Sequence, residues 1–115
     1  MSDRSHLSVY QHLQDFLAKL KESLRNGDLV RQDEEIDSLC SKLLGLSDRD
    51  IDKEIVGKWR SLITEIHRDL RLLKTHLLFV STSKTPSLQA KNFKTVENEL
   101  IRLNQGCEAL FTLVN

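Results

Sequence analysis

Apolar residues recur at steps of three and four along nearly the whole chain, and no long stretch shows the alternation that is typical of a strand. This periodicity predicts an all-α fold with about four helices. The first two helices carry apolar stripes at Val9, Leu13, Phe16, Leu17, Leu20 and Leu24, and at Ile36, Leu39, Cys40, Leu43 and Leu44. Each stripe can form one buried face, so we expect a small helical bundle.

The ends of the first two helices are marked by glycine and by acidic residues. The first helix is predicted over about residues 7–26, because Gly27 can adopt the left-handed conformation that follows many helices. The second is predicted from about residue 29, or a few residues later, and ends at Gly45. Its acidic residues 33–35 suit a helix N-terminus, where the helix dipole is positive.

The third predicted helix is the longest. Ser47 and the acidic residues that follow it predict an N-cap and a first turn, and one apolar stripe then continues to Val80. At 1.5 Å per residue, its roughly 34 residues would span about 50 Å, which is more than a compact domain of this size needs. Gly57 lies inside this range and marks a position where the helix can kink.

A loop and a second long helix follow. Only residues 81–87 have the composition of a loop, and Pro86 is expected at the first position of the fourth helix, after a capping Thr85. The fourth helix keeps an alternating spacing of three and four at Phe93, Val96, Leu100, Leu103, Cys107, Leu110 and Val114. Because this narrow seam is typical of coiled coils, we expect helices three and four to form a long antiparallel hairpin, with helices one and two packed along part of it.

The length of 115 residues predicts a single domain, 1–115, and its 17 lysine and arginine residues balance 17 aspartate and glutamate residues. No global field draws such a chain to nucleic acid or to an anionic membrane, and we expect neither as a partner. The charges are nevertheless segregated: residues 28–54 hold nine acids and four bases, and residues 55–94 hold eight bases and two acids. We expect these two segments to lie side by side and neutralise each other.

The N-terminal residues Met-Ser-Asp-Arg-Ser lack the apolar region of a targeting signal, and the longest apolar run, 77–80, is too short to span a bilayer. We therefore expect a soluble, cytoplasmic protein. Cys40 and Cys107 each lie on an apolar stripe, where a thiol behaves as a small hydrophobic side chain. Neither a disulfide nor a metal site is expected.

The chain contains no glycine-rich phosphate loop, no nucleophile elbow and no Cys/His/Asp arrangement, so we expect a non-enzyme with no catalytic residue, cofactor or metal. The alternative is a histidine phosphotransfer module in which His67 carries the phosphoryl group. Bulky side chains at residues 68–71 leave little room for that group, and a solvated histidine is the simpler interpretation. His6 and His12 are expected at the surface, because their spacing does not place them on one helix face.

Projection of the third helix at about 100° per residue places a basic face opposite its core stripe. We expect this face to bind a partner through Arg60, His67, Arg68 and Arg71. We assign to the core Trp59, Leu62, Ile66 and Leu73.

Three apolar residues, Leu72, Leu78 and Phe79, project to the same outer side and need a cover. Another helix of the monomer is one candidate cover, and a second copy of the chain is the other. We favour a homodimer, because the two long helices outreach what one small core can bury.

The order of residues along the second half of the chain forms a further pattern. It comprises residues 59–61, 64–73, 78–79, Ser83, Leu103 and 107–110. This order resembles that of the cyanobacterial heterocyst frequency control family PatD, loosely over the whole length and specifically over about residues 59–83.

The resemblance implies a cytoplasmic, non-enzymatic helical homodimer that binds the tubulin-like cell-division protein FtsZ and modulates its assembly, thereby influencing heterocyst frequency. FtsZ is acidic by family character, so the resemblance places the contact at the basic face that holds Arg60, Arg68 and Arg71. A generic helical interaction module with another partner is the alternative.

Overall fold

The computed structural model describes the backbone of residues 2–114 and the side chains of residues 6–114. It contains helices α1 (Ser2–Arg25), α2 (Asp33–Leu44), α3 (Val56–Thr82) and α4 (Pro86–Val114). No strand occurs within residues 2–114, so the prediction of an all-α fold is confirmed. None of the helices in this range is both long and apolar enough to cross a membrane.

Helices α3 and α4 form the long hairpin that the sequence predicts, and residues 83–85 join them. α2 packs along α3, α1 packs along α4, and α1 and α2 also contact each other. The molecule measures 50 × 21 × 19 Å. The helices thus form a closed, elongated bundle, and the prediction that α1 and α2 pack along the hairpin is confirmed.

Several predicted helix ends are confirmed. Gly27 follows α1 with φ of +71°, a conformation that glycine adopts without steric cost. Thr85 Oγ1 accepts a hydrogen bond from the Leu88 N–H at 3.2 Å, and Pro86 is the first residue of α4. The loop between α3 and α4 is shorter than predicted, because α3 continues to Thr82. The Ser81 and Thr82 hydroxyl groups both donate to the Leu78 carbonyl oxygen about one turn earlier.

The predicted start of the third helix is wrong. Ser47 does not cap a helix; its Oγ accepts a hydrogen bond from the Arg49 N–H at 3.2 Å, and Asp52 Oδ1 accepts one from the Glu54 N–H at 3.2 Å. Such bonds to the N–H two residues ahead stabilise turns and compete with helix formation. α3 therefore begins at Val56, and Gly57 lies in its first turn rather than in its interior.

The core is one continuous cluster to which all four helices contribute. Its largest fully buried side chains are Tyr10, Leu13, Leu17, Ile36, Leu39, Leu43, Ile66, Leu70, Leu73, Leu77, Leu103 and Leu110. The assignment of Leu62 to this core is wrong in part, because Leu62 is half-buried at its edge and Ile63 is buried instead. Helix α3 packs against both α2 and α4, so its buried face is wider than a single stripe.

The prediction that His6 lies at the surface is also wrong, since only 5% of the residue is exposed. Its ring stacks on Tyr10 with centroids 6.2 Å apart and lies 5.8 Å from the ring of Trp59. The Trp59 indole N–H donates a hydrogen bond to Tyr10 Oη at 2.8 Å. Three aromatic rings thus join α1 to the start of α3, and only His12 of the two histidines reaches solvent.

Candidate protein-binding groove

A groove of about 750 Å³ runs between α2 and α3. Its apolar lining includes Leu44 from the last turn of α2 and Leu72 and Leu78 from α3. Leu44 is 67% exposed and Leu72 is 38% exposed. The groove therefore offers a small apolar surface that another protein could contact.

The same groove is lined by His67, Arg68 and Arg71. These residues lie within about one turn of α3, so their side chains emerge next to one another on the outer side of the helix. Arg68 and Arg71 are exposed and His67 is half-buried. The structure therefore places three of the four predicted partner-binding residues together and next to exposed leucines.

Some basic groups of the groove are neutralised by α2. Lys74 Nζ lies 2.8 Å from Asp37 Oδ1, and Arg31 pairs with Asp33. The Lys74 pair joins α3 to α2, so the expected contact between the basic and acidic segments is confirmed at this point. Its energetic contribution is small, because ion pairs exposed to water contribute at most about 1 kcal/mol.

Other basic groups of the groove lack such a partner. Arg68 Nε lies 3.7 Å from Asp69 Oδ1, too far for a hydrogen bond. Among the described side chains, Arg71 and His67 take part in no ion pair with α2. The outer rim of the groove therefore keeps positive charge that an acidic partner can use.

Arg60 lies apart from this group. It pairs with Asp48 in the segment before α3, with the Nε atom 2.9 Å from Oδ2. Hydrogen bonding and the charge of Arg60 lower the pKa of Asp48 below its usual value. Arg60 does not line the groove, and its charge is already matched within the chain.

The three residues predicted at a dimer interface do not form one patch. On α3, Leu72 and Phe79 lie within about 20° of each other around the helix axis, whereas Leu78 lies about 100° from Phe79. Leu72 and Leu78 line the groove, but Phe79, which is 48% exposed, does not. Any dimer contact through Phe79 therefore involves a different side of α3 from Leu78.

A buried polar cluster between α3 and α4 was not predicted from the sequence. Asp69 is 7% exposed and Glu99 is 1% exposed, and Arg102 Nη2 donates a hydrogen bond to Glu99 Oε2 at 3.0 Å. His76 Nδ1 lies 3.8 Å from the same oxygen. The spacing of Asp69 and His76 in the sequence could have indicated this cluster, because residues seven apart share one side of a helix.

Burial raises the pKa of Glu99, the charge and hydrogen bond of Arg102 lower it, and the neighbouring Asp69 carboxyl raises it further.

Burial likewise raises the pKa of the Cys107 thiol to about 11, which favours the unreactive protonated form. Among the described side chains, no three His, Cys, Asp or Glu residues are grouped so that they could hold a metal ion.

Comparison of the chain with known protein families, with curated proteins and with solved structures gave no match. The fold and the groove define a small all-α bundle with a mixed basic and apolar surface between α2 and α3. The resemblance to the PatD family stays a prediction from the order of residues.

Proposed function

We propose that this chain is a non-enzymatic adaptor that binds an acidic segment of a partner protein in the groove between α2 and α3. One observation supports this proposal: Arg68 and Arg71 are exposed beside the apolar side chains of Leu44 and Leu72. The leucines offer apolar surface for affinity, and the arginines attract and orient a negatively charged segment.

The resemblance to PatD supplies a candidate for the partner. In this proposal the partner is FtsZ, binding changes its assembly, and the cellular consequence is a change in heterocyst frequency in a cyanobacterium. The acidic character of FtsZ matches the basic rim of the groove. Because Arg60 already pairs with Asp48, the contact is centred on Arg68 and Arg71, with His67 beside them.

Homodimerisation is the second part of the proposal. Phe79 is 48% exposed and does not line the groove, so a second copy can cover it and leave the groove open. A two-fold dimer would carry two grooves, and two linked sites bind a filament more tightly than one, because the second contact forms at a high effective concentration.

Co-sedimentation with assembled FtsZ tests the groove. The variant Arg68→Glu/Arg71→Glu is expected to bind about tenfold more weakly, because two attractive charges become repulsive. The control Arg49→Glu/Lys53→Glu makes the same change in net charge at exposed positions before α3 and is expected to bind as the wild type does. Binding should also weaken as salt rises.

Two results would overturn parts of this proposal. Equal losses in the two charge-reversal variants would remove the groove as the contact, since only net charge would matter. A wild-type chain that does not co-sediment would remove FtsZ as the partner. Labelling of the wild type, but not of His67→Gln, by a small phosphodonor would instead favour the histidine phosphotransfer module.

A further inference from the structure

A second cleft, of about 470 Å³, lies at the end of the bundle opposite the loop between α3 and α4. The start of α1, the segment before α3 and the last turn of α4 meet there, and we call it the end cleft. Its volume falls in the range of about 300–1,000 Å³ that is usual for small-molecule sites. The end cleft therefore has room for one small organic molecule.

The walls of the end cleft are mostly apolar. Leu7 of α1 is 48% exposed, and Ile51, Ile55 and Leu113 are half-buried around it. Small-molecule sites typically combine such apolar walls with a few polar groups that fix the orientation of the ligand. One part of a ligand for this cleft should therefore be apolar.

The charged groups that line the end cleft all have one sign. Asp50 and Asp52 are exposed there, and no lysine or arginine is among the described lining residues. Among the described side chains, neither aspartate takes part in an ion pair. A cleft lined by charges of one sign beside apolar walls concentrates ions of the opposite sign, so this one favours a cation.

His6 supplies an independent observation, because it lines the end cleft and is only 5% exposed. Its described contacts are the rings of Tyr10 and Trp59, and its own ring forms no hydrogen bond with any described group. A buried polar group without a partner destabilises a protein, and a ligand that supplies the missing partner removes this cost. In its neutral form the imidazole ring has one acceptor nitrogen, which a ligand with N–H donors can satisfy.

We propose that the end cleft binds a small organic cation, with an ammonium group beside Asp50, Asp52 and His6 and an apolar chain against Leu7 and the other apolar walls. An ammonium group has three donors and no acceptor, which matches two carboxylates and one imidazole nitrogen. The proposal is independent of the partner-binding function, since the end cleft and the groove between α2 and α3 share no lining residue.

Titration of the full chain with hexylammonium tests the proposal, with 1-hexanol and hexanoate as neutral and anionic controls of the same chain length. Binding can be followed by the fluorescence of Trp59, whose ring lies 5.8 Å from that of His6. Hexylammonium should give a saturable change and bind at least about tenfold more tightly than 1-hexanol, because only the cation forms charge-assisted hydrogen bonds. Hexanoate should bind more weakly than both.

The variant Asp50→Asn/Asp52→Asn should bind hexylammonium about tenfold more weakly and 1-hexanol as the wild type does, because only the charges are removed. Asparagine can still accept the hydrogen bond that Asp52 Oδ1 accepts from the Glu54 N–H, so the turn is preserved. The control Asp28→Asn/Glu34→Gln makes the same change in net charge at exposed positions outside the end cleft. It should bind hexylammonium as the wild type does.

Equal affinities of the wild type for hexylammonium and 1-hexanol would overturn the proposal, because the cleft would then be a site for apolar molecules only. Equal losses in the two charge-removing variants would also overturn it, since net charge rather than the end cleft would decide binding. If circular dichroism shows that the Asp50→Asn/Asp52→Asn variant does not fold, the comparison of the two ligands on the wild type decides alone.

Discussion

The hydrogen bond from Trp59 to Tyr10 gives a quantitative prediction for Tyr10→Phe. The tyrosine is 1% exposed and the tryptophan 3% exposed, so water cannot replace the lost acceptor without opening the core. The substitution keeps the ring and its edge-on contact with Phe111, whose centroid lies 5.9 Å away. The indole N–H loses its acceptor, and we expect the free energy of unfolding to fall by about 1–3 kcal/mol.

The assay is urea unfolding followed in parallel by tryptophan fluorescence and circular dichroism. Trp59 is the only tryptophan of the chain, so its emission reports this contact directly. A double-mutant cycle with Trp59→Phe, followed by circular dichroism, should give a coupling energy of about 1 kcal/mol. A destabilisation of Tyr10→Phe below about 0.5 kcal/mol with unchanged emission would refute the reasoning, because such values are typical of surface substitutions.

Two further predictions concern assembly and backbone conformation. Changing both Leu78 and Phe79 to serine should give a folded monomer by light scattering. The single change at Leu78 should leave the dimer intact, because Leu78 lines the groove and Phe79 lies outside it. An unchanged mass for the double variant would contradict the dimer proposal. Gly27→Ala should destabilise by about 1–2 kcal/mol, because φ at this position is +71°. An added methyl group would meet no other atom, so the loss of stability would come from the backbone conformation alone. Gly57→Ala, also in empty space but in the first turn of α3, should stabilise by about 0.5 kcal/mol. In urea unfolding, a stabilised Gly27→Ala variant would contradict the first value, and a destabilised Gly57→Ala variant would contradict the second.

Helical periodicity predicted the four helices and the hairpin well, because each stripe faces one core and glycine or proline marks the ends. It failed before Val56, where the acidic residues that suit a helix N-terminus also suit the turns that form there. Local sequence does not distinguish these two outcomes when no packed partner fixes the helix.

The candidate site was predictable only in part. His67, Arg68 and Arg71 share a face by helix geometry alone, and the groove confirms their proximity. The pairing of Arg60 with Asp48 depends on how the segment before α3 folds back, which the periodicity does not report. The burial of Glu99 was likewise hidden, because it depends on how closely two helices approach.

That close approach is visible at Gly106. A methyl group added there would lie 3.1 Å from Ile66 Cγ1, so the backbone of α4 meets the side chains of α3 without an intervening side chain. Because residues 83–85 close the hairpin, this contact costs little loop entropy, whereas α1 must close a much longer loop to reach α4. The hairpin is therefore the part of the bundle most favoured by chain connectivity, and α1 depends on its own apolar face and on Tyr10 to stay docked.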